Sequence, residues 1–453
     1  MSSPLSVPAE RWNNRALFKL VWPLVIEQLL AVAMGMMDTV MVASVGEAAV
    51  SGVSLVDSVN VLLINIFAAF ATGGAVVVSQ YIGNRQNKQA SDAARQLFYG
   101  ISAISLLIML VSLVFRRGLL QLIFGNISPD VMQASETYFW VSAISYPFLA
   151  VYNAGAALFR SMGNSRVSMF ISLLVNLLDV GANALFIYGF SWGVFGAAFS
   201  TFLSRVIAAI GIVWLLYRGS GHQPVSLKGL FHFKINFSLI RSILKIGVPN
   251  GMENSMFQIG KLLVARIVAQ LGTAAIAGNA IAIAVATFAN LPGAAISLAL
   301  LTVVGQCVGG ADYAGARRYT RKLMVVAFAA MAVTELGLLA ASGPLLGLFG
   351  LSKEATEIAA LCVTTHCILA VFLWPQSFSL PSALRAAGDV RFTMLVSIFS
   401  MWTFRIGLAY LFAIPMGLGV WGVWLAMTVD WAVRGTIFLW RWHNGRWQSK
   451  RLV

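Results

Sequence analysis

Apolar residues run in stretches of about 20, the length needed to cross the hydrocarbon core of a bilayer, separated by short polar breaks. Twelve such stretches begin near residues 16, 49, 92, 133, 165, 192, 237, 275, 319, 355, 391 and 418. Each predicts a membrane helix. The pattern also overlays on itself after a shift of 226 positions. Pro23 then falls on Pro249, Glu27 on Glu253, Gly46 on Gly272, Gly52 on Gly278, Gln80 on Gln306 and Gly83 on Gly309. At slightly different offsets Arg160-Ser-Met-Gly163 returns as Arg385-Ala-Ala-Gly388, and Trp192-Gly193-Val194 as Trp421-Gly422-Val423. Six helices per copy is an even number, so both copies enter from one side and the repeat is parallel. The expected fold is an all-α membrane protein of twelve transmembrane helices in two pseudo-symmetric six-helix lobes, the organisation of a secondary transporter. Residues 1–217 form the first lobe, 218–236 a cytoplasmic linker, 237–441 the second lobe and 442–453 a cytoplasmic tail.

Composition agrees with a membrane chain: 59% apolar and 10% charged residues, with a mean hydropathy of +0.82. The net charge of +15 would suit nucleic acid, but its distribution does not. Of 31 Lys and Arg residues, 23 fall on the side of the termini and the loops level with them, three on the opposite side, and five inside helices. This is the positive-inside signal of a multi-pass protein of the cytoplasmic (inner) membrane with both termini in the cytoplasm. No partnership with nucleic acid is expected. Met1–Asn14 lacks the short apolar core of a removable signal peptide. Pro147, Pro292, Pro375 and Pro381 lie within the expected helices, where each bends the axis and frees a carbonyl.

Ionisable groups at membrane depth are costly and therefore candidates for function. Seven acids qualify: Glu27, Asp38, Asp57, Asp179, Glu253, Glu335 and Asp430. The first lobe sets four of them against a single base, Arg205. The second sets three against Lys261, Arg266, Arg405 and Arg434. Surplus buried carboxylates must take up protons or metal cations, so the first lobe is the expected cation site. Glu27 and Asp38 share one face of the first helix, about 16 Å apart along it. Asn176, Asp179 and Asn183, at i, i+3 and i+7, share one face of the fifth. Their oxygens suit a hard cation or a proton-linked network, though the same face also fits a polar cluster that only pins helix packing. Asp57 reads as interfacial, and Glu335 and Asp430 as partners in structural ion pairs.

Enzymatic chemistry is not expected. No Gly-rich phosphate loop, HExxH, DDxxD or GxSxG motif occurs. The four histidines, His222, His232, His366 and His443, are scattered, and Cys307, Cys362 and Cys367 have no redox or metal spacing. No cofactor is expected beyond a coupling proton or sodium ion.

Met37-Asp38-Thr39-Val40 followed by Gly46, Gln80-Tyr-Ile-Gly83, Arg160…Gly163 and Arg385…Gly388 together resemble the multidrug and toxic compound extrusion (MATE) family, over essentially the whole chain. The resemblance implies antiport: export of amphipathic, often cationic compounds against protons or sodium, by lobes that alternate between outward- and inward-facing shapes. It also implies that Asp38 is the family's helix 1 aspartate. The Asn-then-Asp pair of one branch falls on Asp179 and Asn183 with amide and carboxylate exchanged, and that branch's helix 6 threonine falls on Thr201. Glu253 matches a NorM-like helix 7 glutamate, but Leu373–Ser377 lacks the accompanying helix 10 acid. The DinF-like branch is therefore favoured. The expected cation-coupling set is Asp38, Asp179, Asn176, Asn183 and Thr201, with Asp38 and Asp179 as metal ligands if sodium is used. Glu27 and Glu253 are secondary candidates, Pro23 the bend of helix 1, and Gln28, Met34 and Met37 the substrate-cavity candidates. The remaining alternatives are a flippase for lipid-linked oligosaccharides, for which the intramembrane bases speak, and a non-transporting membrane scaffold. The working form is taken as a monomer in the bilayer, with no obligate protein partner.

Overall fold

The structure, a computed structural model, describes residues 12–452 apart from 126 and 220–222. The start of the polar N-terminal stretch and His222 of the linker lie outside the described residues. Among the described residues every element of regular secondary structure is a helix. Span 1 is Asn14–Ala43, span 2 Glu47–Gly83, span 3 Asn87–Val114, span 4 Pro129–Ser161, span 5 Ser165–Gly189 and span 6 Gly193–Arg218. Span 7 is Phe237–Ala269, span 8 the pair Thr273–Ala289 and Leu291–Gly309, span 9 Tyr313–Gly347, span 10 Lys353–Ala386, span 11 Val390–Ala413 and span 12 Gly419–His443. Among the described residues ten helices are long and apolar enough to cross a membrane. Spans 7 and 12 match them in length, at 33 and 25 residues, but carry charges that lower their hydropathy. A short helix, Arg116–Phe124, links spans 3 and 4.

The prolines act differently from one another. Pro23, Pro147 and Pro249 sit inside continuous helices. Pro292 follows the break that divides span 8 at Asn290, because a proline has no N–H to continue the ladder. Pro375 opens a π-helical turn, Pro375–Ser379, in span 10. Spans 5 and 11 also contain π-helical turns, Ala184–Gly189 and Met401–Gly407.

The lobes meet through spans 1 and 2 of one copy and spans 7 and 8 of the other. Spans 2 and 8 cross so closely that a Cβ on Gly83 would lie 2.0 Å from the Gln306 carbonyl oxygen, and one on Gly309 2.0 Å from that of Gln80. Only glycine permits that approach. Beside the crossing each glutamine reaches into the other lobe. Gln80 Nε2 donates to the Ala386 carbonyl at 2.8 Å, and Gln306 Nε2 to the Ser161 carbonyl at 2.7 Å. These residues are repeat equivalents, so the crossing is a two-fold clasp that caps the ends of spans 4 and 10. The Leu452 N–H donates to Gln80 Oε1 at 3.0 Å, tying the C-terminal tail to the same point.

Candidate functional site: an acidic pocket in the first lobe

The spans of the first lobe bring their acids to one depth. Asp38 lies near the end of span 1, Asp57 a few turns into span 2, and Asp179 and Asn183 on one face of span 5. Asn183 Nδ2 donates to Asp38 Oδ1 at 3.0 Å and reaches Asp179 Oδ2 at 3.5 Å. Asn183 thus bridges the two carboxyls through one amide nitrogen. Asp179 is fixed from span 6: Ser200 and Ser204 each donate a hydroxyl to Oδ1 at 3.0 Å, and Ser200 also contacts the Asp179 carbonyl at 2.8 Å. Asp57 accepts from Asn60 Nδ2 at 3.1 Å, and the Tyr146 hydroxyl holds that amide from the other end at 2.9 Å.

Asp38, Thr39, Asp57, Tyr138, Asn183 and Thr201 line a small open pocket, and Asp179 stands behind Asn183 in its wall. Arg205 is the base near all three acids; its Nη1 donates to Ser145 Oγ at 2.6 Å. With every carboxyl ionised the cluster would hold two negative charges in excess. That is untenable at membrane depth without a bound cation or protons. The Asn183 Oδ1 atom is buried with no hydrogen-bond partner. It is an acceptor waiting for a donor or cation. Thr201 gives its hydroxyl proton to the Ala197 carbonyl at 3.2 Å, which leaves oxygen lone pairs on the pocket wall. Carboxylate, amide and hydroxyl oxygens together can hold either sodium or a proton-linked network.

Asn176 does not join this set. It is half-buried, its Nδ2 has no hydrogen-bond partner, and it is not among the pocket-lining residues. The i, i+3, i+7 spacing aligns it with Asp179 and Asn183, but the pocket lies toward the far end of the span. Glu27 is also elsewhere: it accepts from Arg160 Nη1 at 2.7 Å and from Ser168 Oγ at 2.8 Å. Glu253 repeats this with Arg385 Nη2 at 2.7 Å. Both glutamates are thus matched acid–base pairs whose arginines, at the ends of spans 4 and 10, sequence reading had assigned to loops. Gln28 and Met34 are half-buried and Met37 exposed on span 1, none of them lining the acidic pocket. Pro23 is buried within the unbroken helix.

The sequence reading sets Asp57 aside as interfacial and does not single out Tyr138, Ser200 or Ser204. A depth count would have found the first. Asp38 and Asp57 flank the turn at Gly46 by eight and eleven residues, which at about 1.5 Å per residue places them at similar depth.

Two repeated six-span lobes clasped at one face, with an acidic pocket inside the first, define a membrane transporter rather than an enzyme. The chain belongs to the MatE family, which matches residues 23–185 and again 249–411, two stretches set apart by the same 226 positions as the internal repeat. It is 30% identical to the uncharacterized transporter YisQ of Bacillus subtilis over 100% of this chain and 98% of that protein. It is 27% identical to the probable multidrug resistance protein NorM of Thermotoga maritima, over 97% of this chain and 94% of the relative. Among solved structures, an outward-facing multidrug resistance MATE transporter superposes with a TM-score of 0.89 at 19% identity, covering 96% of each chain.

Proposed function

We propose that the protein exports amphipathic, often cationic compounds from the cytoplasm across the inner membrane, driven by inward movement of protons or sodium. The observation that carries this reading is Asn183, whose amide bridges Asp38 to Asp179 beside a pocket with two uncompensated negative charges. A proton or sodium ion entering that pocket takes up one of the two surplus charges and frees Asn183 to rearrange. Asp38 sits on span 1, which also packs against span 8 of the other lobe, so a change at the carboxyl pair is felt at the interface between lobes. Substrate cation and coupling ion compete for the same charge, and that competition is the coupling free energy.

The side bearing the termini is assigned to the cytoplasm by its excess of Lys and Arg. The Gln80–Gln306 clasp lies on that side, so the conformation described is one whose cytoplasmic gate is closed. The NorM-named relatives are described as probable multidrug resistance proteins, which supports the substrate class.

The test is ethidium export from proteoliposomes under separate proton and sodium gradients. Asp38→Asn is expected to abolish gradient-driven export while leaving the protein folded. Export by that variant at the wild-type rate would overturn the mechanism, and the gradient that sustains wild-type export identifies the ion.

A further inference from the structure

The second lobe holds a larger pocket of opposite charge. About 1270 Å³ to its open mouth, it is walled by spans 7, 8, 10, 11 and 12 and includes Lys261, Arg405, His366, Trp374, Trp424 and Trp431. Three cations converge on one ring: Lys261 Nζ lies 5.7 Å, Arg405 Cζ 5.2 Å and Arg434 Cζ 5.4 Å from the centre of Phe257. Arg434 also stacks on Phe378 at 4.3 Å.

The acids nearby do not balance these bases. Asp430 stands 3.7 Å from Arg405 and 3.8 Å from Arg434, and its carboxylate is already bound by the Ser400 hydroxyl. Glu253 is taken by Arg385. Glu335 faces His366 at 3.4 Å, both fully enclosed; that pair is neutral either as carboxyl and imidazole or as carboxylate and imidazolium, and a bare charge there is too costly. Asp430 is thus one acid against three bases, an excess of two positive charges. Several polar atoms are left waiting. Arg405 Nη1 and Arg434 Nη2 share the single oxygen Asp430 Oδ2 at ion-pair distance but beyond hydrogen-bond length, and Trp431 Nε1 is buried without a hydrogen-bond partner. Lys261 lines the cavity and is exposed to it, with its ammonium over the Phe257 ring.

Unsatisfied donors and surplus positive charge at membrane depth require an anion as surely as the first lobe requires a cation. The walls specify the rest of the ligand. Trp374 and Phe378 stack at 4.9 Å, and Phe378 meets Trp431 edge-on at 5.9 Å, so flat apolar surface lies directly beside the cations. We infer that this second-lobe pocket is a binding site for an amphiphile with an aromatic or apolar body and one anionic group, a carboxylate or comparable monoanion. Lys261 and Arg405 take the anion and the tryptophans take the body.

The experiment is equilibrium binding of radiolabelled 1-naphthoate to the full-length protein in nanodiscs, with neutral 1-naphthamide as the matched probe. Saturable naphthoate binding is expected, about tenfold or more tighter than naphthamide, the size of one charge-assisted contact. Lys261→Gln should lose about tenfold of it and Lys261→Arg should keep it; because Lys261 faces open cavity, neither change disturbs packing. Equal affinity for the two probes, or unchanged naphthoate binding by Lys261→Gln, overturns the inference. Discs of phosphatidylcholine alone are compared with discs containing phosphatidylglycerol. Competition by the anionic lipid supports the site and identifies a lipid headgroup as its occupant, while equal binding in both supports a soluble anion. Asp38→Asn should bind naphthoate as the wild type does, which separates this inference from the first-lobe mechanism.

Discussion

Gly83→Ala is expected to open the clasp between spans 2 and 8. The new methyl would lie 2.0 Å from the Gln306 oxygen and 2.8 Å from its carbonyl carbon, where ordinary contact begins near 3.4 Å. Both obstacles are backbone, so the helices themselves must part, by about 1.4 Å in a close-packed interior. Overpacking of this kind costs about 1–3 kcal/mol. Parting the helices also weakens the Gln80 and Gln306 hydrogen bonds to the opposite lobe, at about 1 kcal/mol each. A total of about 3–5 kcal/mol disfavours the clasped conformation by a factor of about 150 or more relative to any in which the spans are apart. Cys307, next in sequence to Gln306 and buried in the core that span 8 shares with span 1 of the other lobe, is a built-in reporter. In a Cys362→Ala/Cys367→Ala background its maleimide labelling should rise by about tenfold or more in Gly83→Ala. Gly309→Ala, the repeat equivalent against the Gln80 backbone, should behave alike. Wild-type labelling and wild-type ethidium export in both variants would show that this crossing is not a gate.

Glu27→Gln strands Arg160 in a largely buried site and should cost about 3 kcal/mol, measured by thermal unfolding in detergent; adding Arg160→Gln should recover most of it, and failure to recover would assign Glu27 a role beyond pairing. Asp57→Asn removes one of the two surplus charges of the acidic pocket and should slow gradient-driven ethidium export by about tenfold, the worth of one charge-assisted interaction; an unchanged rate would confine coupling to Asp38 and Asp179. Asn176→Leu should leave export within about twofold and raise stability by about 1 kcal/mol, because it replaces an amide nitrogen that has no partner; a coupling defect would return Asn176 to the site.

The fold was legible because its signals are strong and local. Span starts expected at 16, 49 and 237 stand at Asn14, Glu47 and Phe237, since nothing else in the chain competes with a bilayer-length apolar run. The repeat was legible because the closest contacts admit one residue type: Gly83 and Gly309 recur where two backbones touch. Contacts between lobes were not. Nothing in the spacing of Gln80 announces that it caps span 10 of the other lobe. The acidic site was partly legible, through cost: a carboxylate at the depth of Asp38 or Asp179 demands explanation wherever it falls. Counting charges lobe by lobe was too coarse. It treated Arg160 and Arg385 as loop charges, although each neutralises a glutamate inside its lobe. It also treated the second-lobe bases as neutralising its acids, although they outnumber the acid they face.

Comparison of equivalent hairpins shows how the two polarities arise. Arg205 and Arg434 occupy the same place after the repeated Trp-Gly-Val, so the base of each hairpin is shared. In spans 5 and 6, Ser200 brackets Asp179 by touching both its carbonyl and its carboxylate. In spans 11 and 12, Ser400 brackets Asp430 in the same way, but the acid and the serine have exchanged helices. The bracket ties two spans together in each lobe and is neutral with its arginine. What differs lies around it. The first lobe adds Asp38 and Asp57, and the second adds Lys261 and Arg405. A purely structural network would gain nothing from either addition, since each costs desolvation without a full counter-charge. The two excesses are equal and opposite, so the duplicated scaffold sets surplus negative charge in one lobe against surplus positive charge in the other.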